Sequence, residues 1–103
     1  MEIAKSDIVY SLAGHDRGLY FFVLDRDGDY VLLANGAGRK VEHPKRKKVK
    51  HVARVPWSDS RVAGKIRNGD KVLNSELRRA LATLTAHNGE DASGQEATNQ
   101  TVI

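Results

Sequence analysis

Ser11, His15 and Asp16 bring together, within one short stretch, the three side-chain types of a hydrolytic triad. Neighbours along a single turn do not converge with the hydrogen-bond geometry that nucleophilic catalysis needs, and no oxyanion element accompanies them. The run Asp25-Arg26-Asp27-Gly28-Asp29 has the oxygen density of a calcium loop. With Asp25 as first ligand, however, the sharp-turn position falls on Tyr30 and the bidentate-acid position on Gly36, so both diagnostic residues are missing. His43, His51 and His87 lack the spacing and the co-ligands that zinc requires. Neither "GHDRG" nor "NGAG" has the Gly-Lys-Ser/Thr ending and following helix of a nucleotide-binding loop. The chain is therefore expected to be no enzyme, with no metal and no cofactor.

The remaining chemistry is that of cations. Residues 1–38 carry three Lys/Arg against six Asp/Glu, whereas residues 39–54 carry eight Lys/Arg (Arg39, Lys40, Lys45, Arg46, Lys47, Lys48, Lys50 and Arg54) against the single Glu42, a balance of +7. Such a run is either a footprint for nucleic acid or a solvated face. A merely soluble surface intersperses both signs, so the concentration of one sign favours a phosphate track.

The elements that must position these residues are short. "DIVYSL" (Asp7 to Leu12), "LYFFVL" (Leu19 to Leu24), "YVLLA" (Tyr30 to Ala34) and "KVKHVARV" (Lys48 to Val55) read as strands, with a further short strand expected at Arg39 to Glu42. Asp27-Gly28 and Asn35-Gly36 close tight hairpins between them. Close spacing without room for crossover helices implies an antiparallel meander curling into a small barrel. In the last strand, alternation places Val49, His51, Ala53 and Val55 on one side and Lys48, Lys50, Val52 and Arg54 on the other, with Lys45, Arg46 and Lys47 in the preceding loop.

After Pro56 the period becomes helical. Ser58 or Asp59 caps a helix running to about Arg67, with a Trp57–Val62 staple if Ser58 is the cap, and Asn68-Gly69 stops it. A second helix, Ser75 to His87, takes Asn74 as cap and Asn88-Gly89 as stop, and aligns Leu73, Leu77, Ala80, Leu81 and Leu84 in one stripe.

Residues 7–23 resemble the KOW motif of small barrel domains in ribosomal proteins and transcription elongation factors. Ile8 and Val9 stand in the first hydrophobic strand, Gly14 and Gly18 at the two glycines, Arg17 at the basic position and Val23 at the closing valine; Phe21 stands where many members have a third glycine. The strand succession and the basic stretch after Asn35-Gly36 are similar to eukaryotic-type large-subunit ribosomal proteins and their small bacterial relatives. The resemblance implies a five-stranded SH3-like barrel, without catalytic activity, whose loop approaches RNA through Gly14, His15, Arg17 and Gly18. A Gly-flanked loop brings backbone N–H groups near phosphate, and a guanidinium pairs with phosphate oxygens or stacks on a base. Tyr10, Tyr20 and Tyr30 are candidates for base stacking.

The expected architecture is mainly β with C-terminal helices: a KOW barrel over residues 1–56, a helical extension packed on it over 57–89 and a flexible tail over 90–103. The expected role is binding ribosomal RNA or the translation machinery. The alternative is a protein-interaction module that seats a partner on the C-terminal helices. The chain has no cysteine, no apolar run of the ~18 residues that span a bilayer and no signal-peptide pattern at its start, so a cytoplasmic protein that does not enter the membrane is expected.

Overall fold

A computed structural model describes residues 2–93. Five strands, β1 (Ile8–Ser11), β2 (Tyr20–Asp27), β3 (Tyr30–Ala34), β4 (Lys45–Lys48) and β5 (Val52–Val55), form one antiparallel sheet in the order β4-β3-β2-β1-β5. Two helices, α1 (Ser60–Asn68) and α2 (Asn74–Ser93), follow. The ladder is not closed: β4 and β5 are its two edges, yet they are consecutive in the chain and joined only by a 3₁₀ turn over Val49–His51. Four chain steps span at most ~14 Å, whereas the edges of a flat five-stranded sheet lie about 19 Å apart. The sheet must therefore curve into a barrel-like trough.

Curvature explains why residues 8–9 of β1 and 20–24 of β2 read as apolar runs. Both faces of these strands are covered, as in any central strand packed on two sides. Val9, Phe21, Val23, Val31, Leu33 and Val52 fill the inside of the trough together with Ile3. On the other face Ile8, Phe22 and Ala34, aligned by the strand register, pack against Val62 and Ile66 of α1 and Leu77, Ala80, Leu81 and Leu84 of α2. Each of these larger side chains contributes about 1.5–3 kcal/mol by leaving water. The register shifts between Val23 and Asp25, a bulge that turns half-buried Leu24 toward the helices.

Helix α1 has the anticipated punctuation. Asp59, not Ser58, is the cap: its Oδ1 accepts from the N–H groups of Arg61 and Val62, both at 3.1 Å. With the cap at Asp59 the Trp57–Val62 staple loses its frame, and Trp57 packs half-buried on the helix-side core instead. Gly69, at φ +76°, closes the helix: its N–H donates to Ile66 while Asp70 donates to Lys65, the paired bonds of a Schellman motif.

Helix α2 departs from the sequence reading at both ends. Its first turn is capped from Glu76, whose Oε1 accepts the N–H of Leu73 at 2.9 Å and whose Oε2 accepts from Lys65 of α1 at 2.6 Å. Asn74 is thereby released from capping. Its Oδ1 accepts the N–H of Val41 at 2.8 Å and its Nδ2 donates to Glu42. Arg78 reaches the carbonyl of Gly36 at 2.6 Å. These tethers replace the strand expected at Arg39 to Glu42: the segment is a turn held against α2 and joins no ladder. At the other end α2 continues through Asn88-Gly89 to Ser93, because a helical glycine costs about 1 kcal/mol without forbidding continuation. The tail expected from Glu90 therefore begins as helix, and its residues 94–103 lie outside the described residues. Leu77, Ala80, Leu81 and Leu84 are buried as the stripe requires, but Leu73, before the first turn, is 50% exposed. Leu77, Ala80, Leu81 and Leu84 are thus part of the fold's own core. Among the described residues, no helix is long and apolar enough to cross a membrane.

Candidate nucleic-acid interface

The loop between β1 and β2 is a built structure, not a slack connection. Gly14 and Gly18 adopt φ of +87° and +90°, the left-handed region that side-chain-bearing residues avoid. Between them Arg17 donates to the carbonyl of Gly14, Gly18 to that of Ser11 and Leu19 to that of Asp16, at 2.9–3.1 Å. This winding turns Asp16 inward, to 8% exposure, and leaves His15 and Arg17 outside.

Asp16 is the pivot. Its Oδ1 accepts from Ser11 Oγ at 2.7 Å and from Lys47 Nζ at 2.9 Å, and Lys45 Nζ lies 3.1 Å from Oδ2. Lys47 also donates to the carbonyl of Ala13 at 2.7 Å, so one ammonium fastens the loop by both side chain and backbone. Burial pushes the Asp16 carboxyl up, but the hydrogen bond from Ser11 and the two ammonium groups outweigh it and hold the carboxyl well below the usual range. Since the folded group titrates below its unfolded value of about 3.9, its stabilisation is complete above roughly pH 4 and is lost as the pH falls further, where the unfolded chain binds a proton that the folded chain does not. Urea midpoints measured between about pH 2 and pH 7 are expected to drop below about pH 4, and Asp16→Asn is expected to flatten that drop.

The same cluster corrects the sequence reading of the basic segment. Lys45, Arg46 and Lys47 are not in a loop but form β4, paired with Leu33, Leu32 and Val31 of β3. Lys47 shares the inward face with Val31 and is 8% exposed, so it is withdrawn from any phosphate, and Lys45 is ion-paired to Asp16. The expected single strand from Lys48 to Val55 is broken as well. Its first residue, Lys48, ends β4 and pairs with β3, whereas Val52–Val55 pair with β1, and the 3₁₀ turn between them makes the change of direction. Hence Lys48, Lys50, Val52 and Arg54 do not form one stripe: Val52 is buried, and Arg54 is paired to Asp7 with its Nε 3.4 Å from Oδ2.

What the fold does bring together falls into two groups. Near the loop, His15, Arg39 and Lys45 line a groove of about 210 Å³ with Asn35 at its side. Asn35 Oδ1 accepts from the N–H groups of Ala37 and Arg39, fixing the turn that carries Arg39 and its neighbour Lys40 at the surface. Along the β4 edge, Arg46, Lys48 and Lys50 are exposed, and none has an ion pair among the described residues. The Arg46 guanidinium carbon lies 3.6 Å from the centre of the Tyr30 ring, a cation–π contact. Beside it opens a cleft of about 440 Å³ lined by Arg26, Asp29, Tyr30, Lys48, Val49 and Lys50. Arg26, not among the cations expected to bind RNA, is a wall and not a free cation: it donates to the carbonyls of Gly28 and Ile3 at 2.9 and 2.6 Å. Tyr10 and Tyr20 pack on each other with centroids 5.2 Å apart, which leaves Tyr30 as the tyrosine at the cationic edge.

No family model matches the chain, and no curated protein matches it in sequence.

Proposed function

We propose that this chain is a non-catalytic RNA-binding protein of the cytoplasm that grips the RNA backbone and serves ribosomal RNA or the translation machinery. The observation that carries the reading is the unneutralised edge of the sheet, where Arg46, Lys48 and Lys50 are exposed side by side with no acidic partner among the described residues. Asp16 is spent on Lys45 and Lys47 and Asp7 on Arg54, and Asp29, which lines the cleft beside Lys48 and Lys50, forms no ion pair with them. Like charges held together repel, and a phosphate chain relieves that repulsion while releasing its own counterions. The resemblance of residues 7–23 to the KOW motif supports the same partner, with Arg17 exposed on a rigid loop and free to meet phosphate.

Binding of a fluorescent RNA by three proteins tests the proposal. Arg17→Ala is expected to weaken binding by about 1–2 kcal/mol, the scale of one charge-assisted contact, with the melting temperature unchanged because the side chain is exposed. Replacing Arg46, Lys48 and Lys50 together by Gln is expected to weaken it at least about tenfold. Equal binding by all three proteins contradicts the proposal.

A further inference from the structure

We infer that the cleft beside the β4 edge takes one unpaired base of a single-stranded RNA, stacked against Tyr30, with the neighbouring phosphates on Lys48 and Lys50. The inference rests on the RNA-binding reading and adds to it where a base is read. A volume of about 440 Å³ is in the range of small-molecule sites. Its lining is mixed in a way that suits a base better than a phosphate. Tyr30 offers an aromatic surface and half-buried Val49 an apolar one, while Asp29 places a carboxylate at the wall. That carboxylate repels a phosphate within the cleft and accepts a hydrogen bond from the amino or imino groups of a base.

The cations stand where a strand would need them. Lys48 ends β4 and Lys50 lies in the following turn, both lining the cleft, both exposed and both without an ion pair among the described residues. Arg46, two residues before Lys48 on the same face of β4, does not line the cleft but sits over the Tyr30 ring with its guanidinium carbon 3.6 Å from the centroid, so the ring is held in place before the base arrives. A duplex keeps its bases stacked and paired and cannot offer one to a cleft, whereas an unpaired strand splays its bases onto aromatic and guanidinium planes.

Three RNA probes of about ten nucleotides, the length covered by one small barrel, distinguish the base site from a plain phosphate track: a single strand, the same backbone with abasic sugars, and a duplex. The full chain is expected to bind the single strand about tenfold more tightly than the abasic strand. Tyr30→Leu, which conserves every charge, is expected to bring that ratio close to one while leaving the salt dependence and the duplex affinity as they were. The ratio for the unaltered protein does not depend on how any variant folds. Equal affinity of the unaltered protein for the intact and abasic strands overturns the base site and leaves the backbone reading standing. Failure to bind any of the three probes at low salt overturns both.

Discussion

Replacing Lys47 by Met is expected to destabilise the fold by about 3–5 kcal/mol, the cost of breaking a buried ion pair from one side. The side chain is 8% exposed and divides its three N–H donors between Asp16 Oδ1 and the carbonyl of Ala13. Met fills a similar volume, so the loss comes from leaving Asp16 buried with one ammonium fewer and the Ala13 carbonyl with only the longer contact from Ser11 Oγ at 3.1 Å. The loop that carries Arg17 loses its fastening in the same event. Adding Asp16→Asn to the Met variant is expected to recover at least about 1 kcal/mol, because a neutral side chain still accepts from Ser11 and no longer strands a charge. Urea unfolding of the four proteins of this cycle measures both quantities. An unchanged midpoint for the single variant would return Lys47 to the surface cations.

Leu77→Ala is expected to cost about 3–4 kcal/mol, toward the upper part of the range for buried leucines. Leu77 is fully buried among Phe22, Ile8, Val62 and Ile66, where α2 lies on the sheet. The upper part of the range applies because α2 is not free to settle into the hole. Asn74 and Arg78 on either side of Leu77 hold it to Val41 and Gly36. Gly36, at φ +78°, lies so close to the Asn74 backbone that even a Cβ would run into it. Circular dichroism should show helix and sheet lost in one transition, since the core cluster takes residues from both. Melting of the helices ahead of the sheet would contradict this packing.

The sequence disclosed those features whose causes are local. Two-sided burial wrote residues 8–9 of β1 and 20–24 of β2 as apolar runs, Asp59 and Gly69 mark the ends of α1 by capping chemistry, and the spacing of Leu77, Ala80, Leu81 and Leu84 shows which side of α2 is covered. Features that depend on a distant partner were not legible. Nothing within "KRKK" distinguishes Lys47 from Arg46. What separates them is register, which sets Lys47 beside Val31 on the inner face, and an aspartate 31 residues earlier in the chain. Asn74 has the composition of a cap, yet Val41 and Glu42 claim its side chain across a separation no periodicity reveals. The Arg46–Tyr30 stack is likewise a product of β3–β4 pairing. An even basic stripe was the natural reading of the segment, and folding divided it into fastening residues and free ones.

The claim that the free cations hold an RNA backbone is tested most directly by the salt dependence of binding to a single-stranded RNA. Each phosphate neutralised on a single strand contributes a slope of roughly −0.7 to log affinity against log salt. With Lys47 buried, Lys45 paired to Asp16 and Arg54 paired to Asp7, about three to five of the remaining cations engage, so the slope is expected near −2 to −3.5. Replacing Arg46, Lys48 and Lys50 by Gln should remove about two units of that slope while the melting temperature holds. A slope near zero, or one that the triple replacement leaves unchanged, would contradict the claim and make the β4 edge a solvated surface.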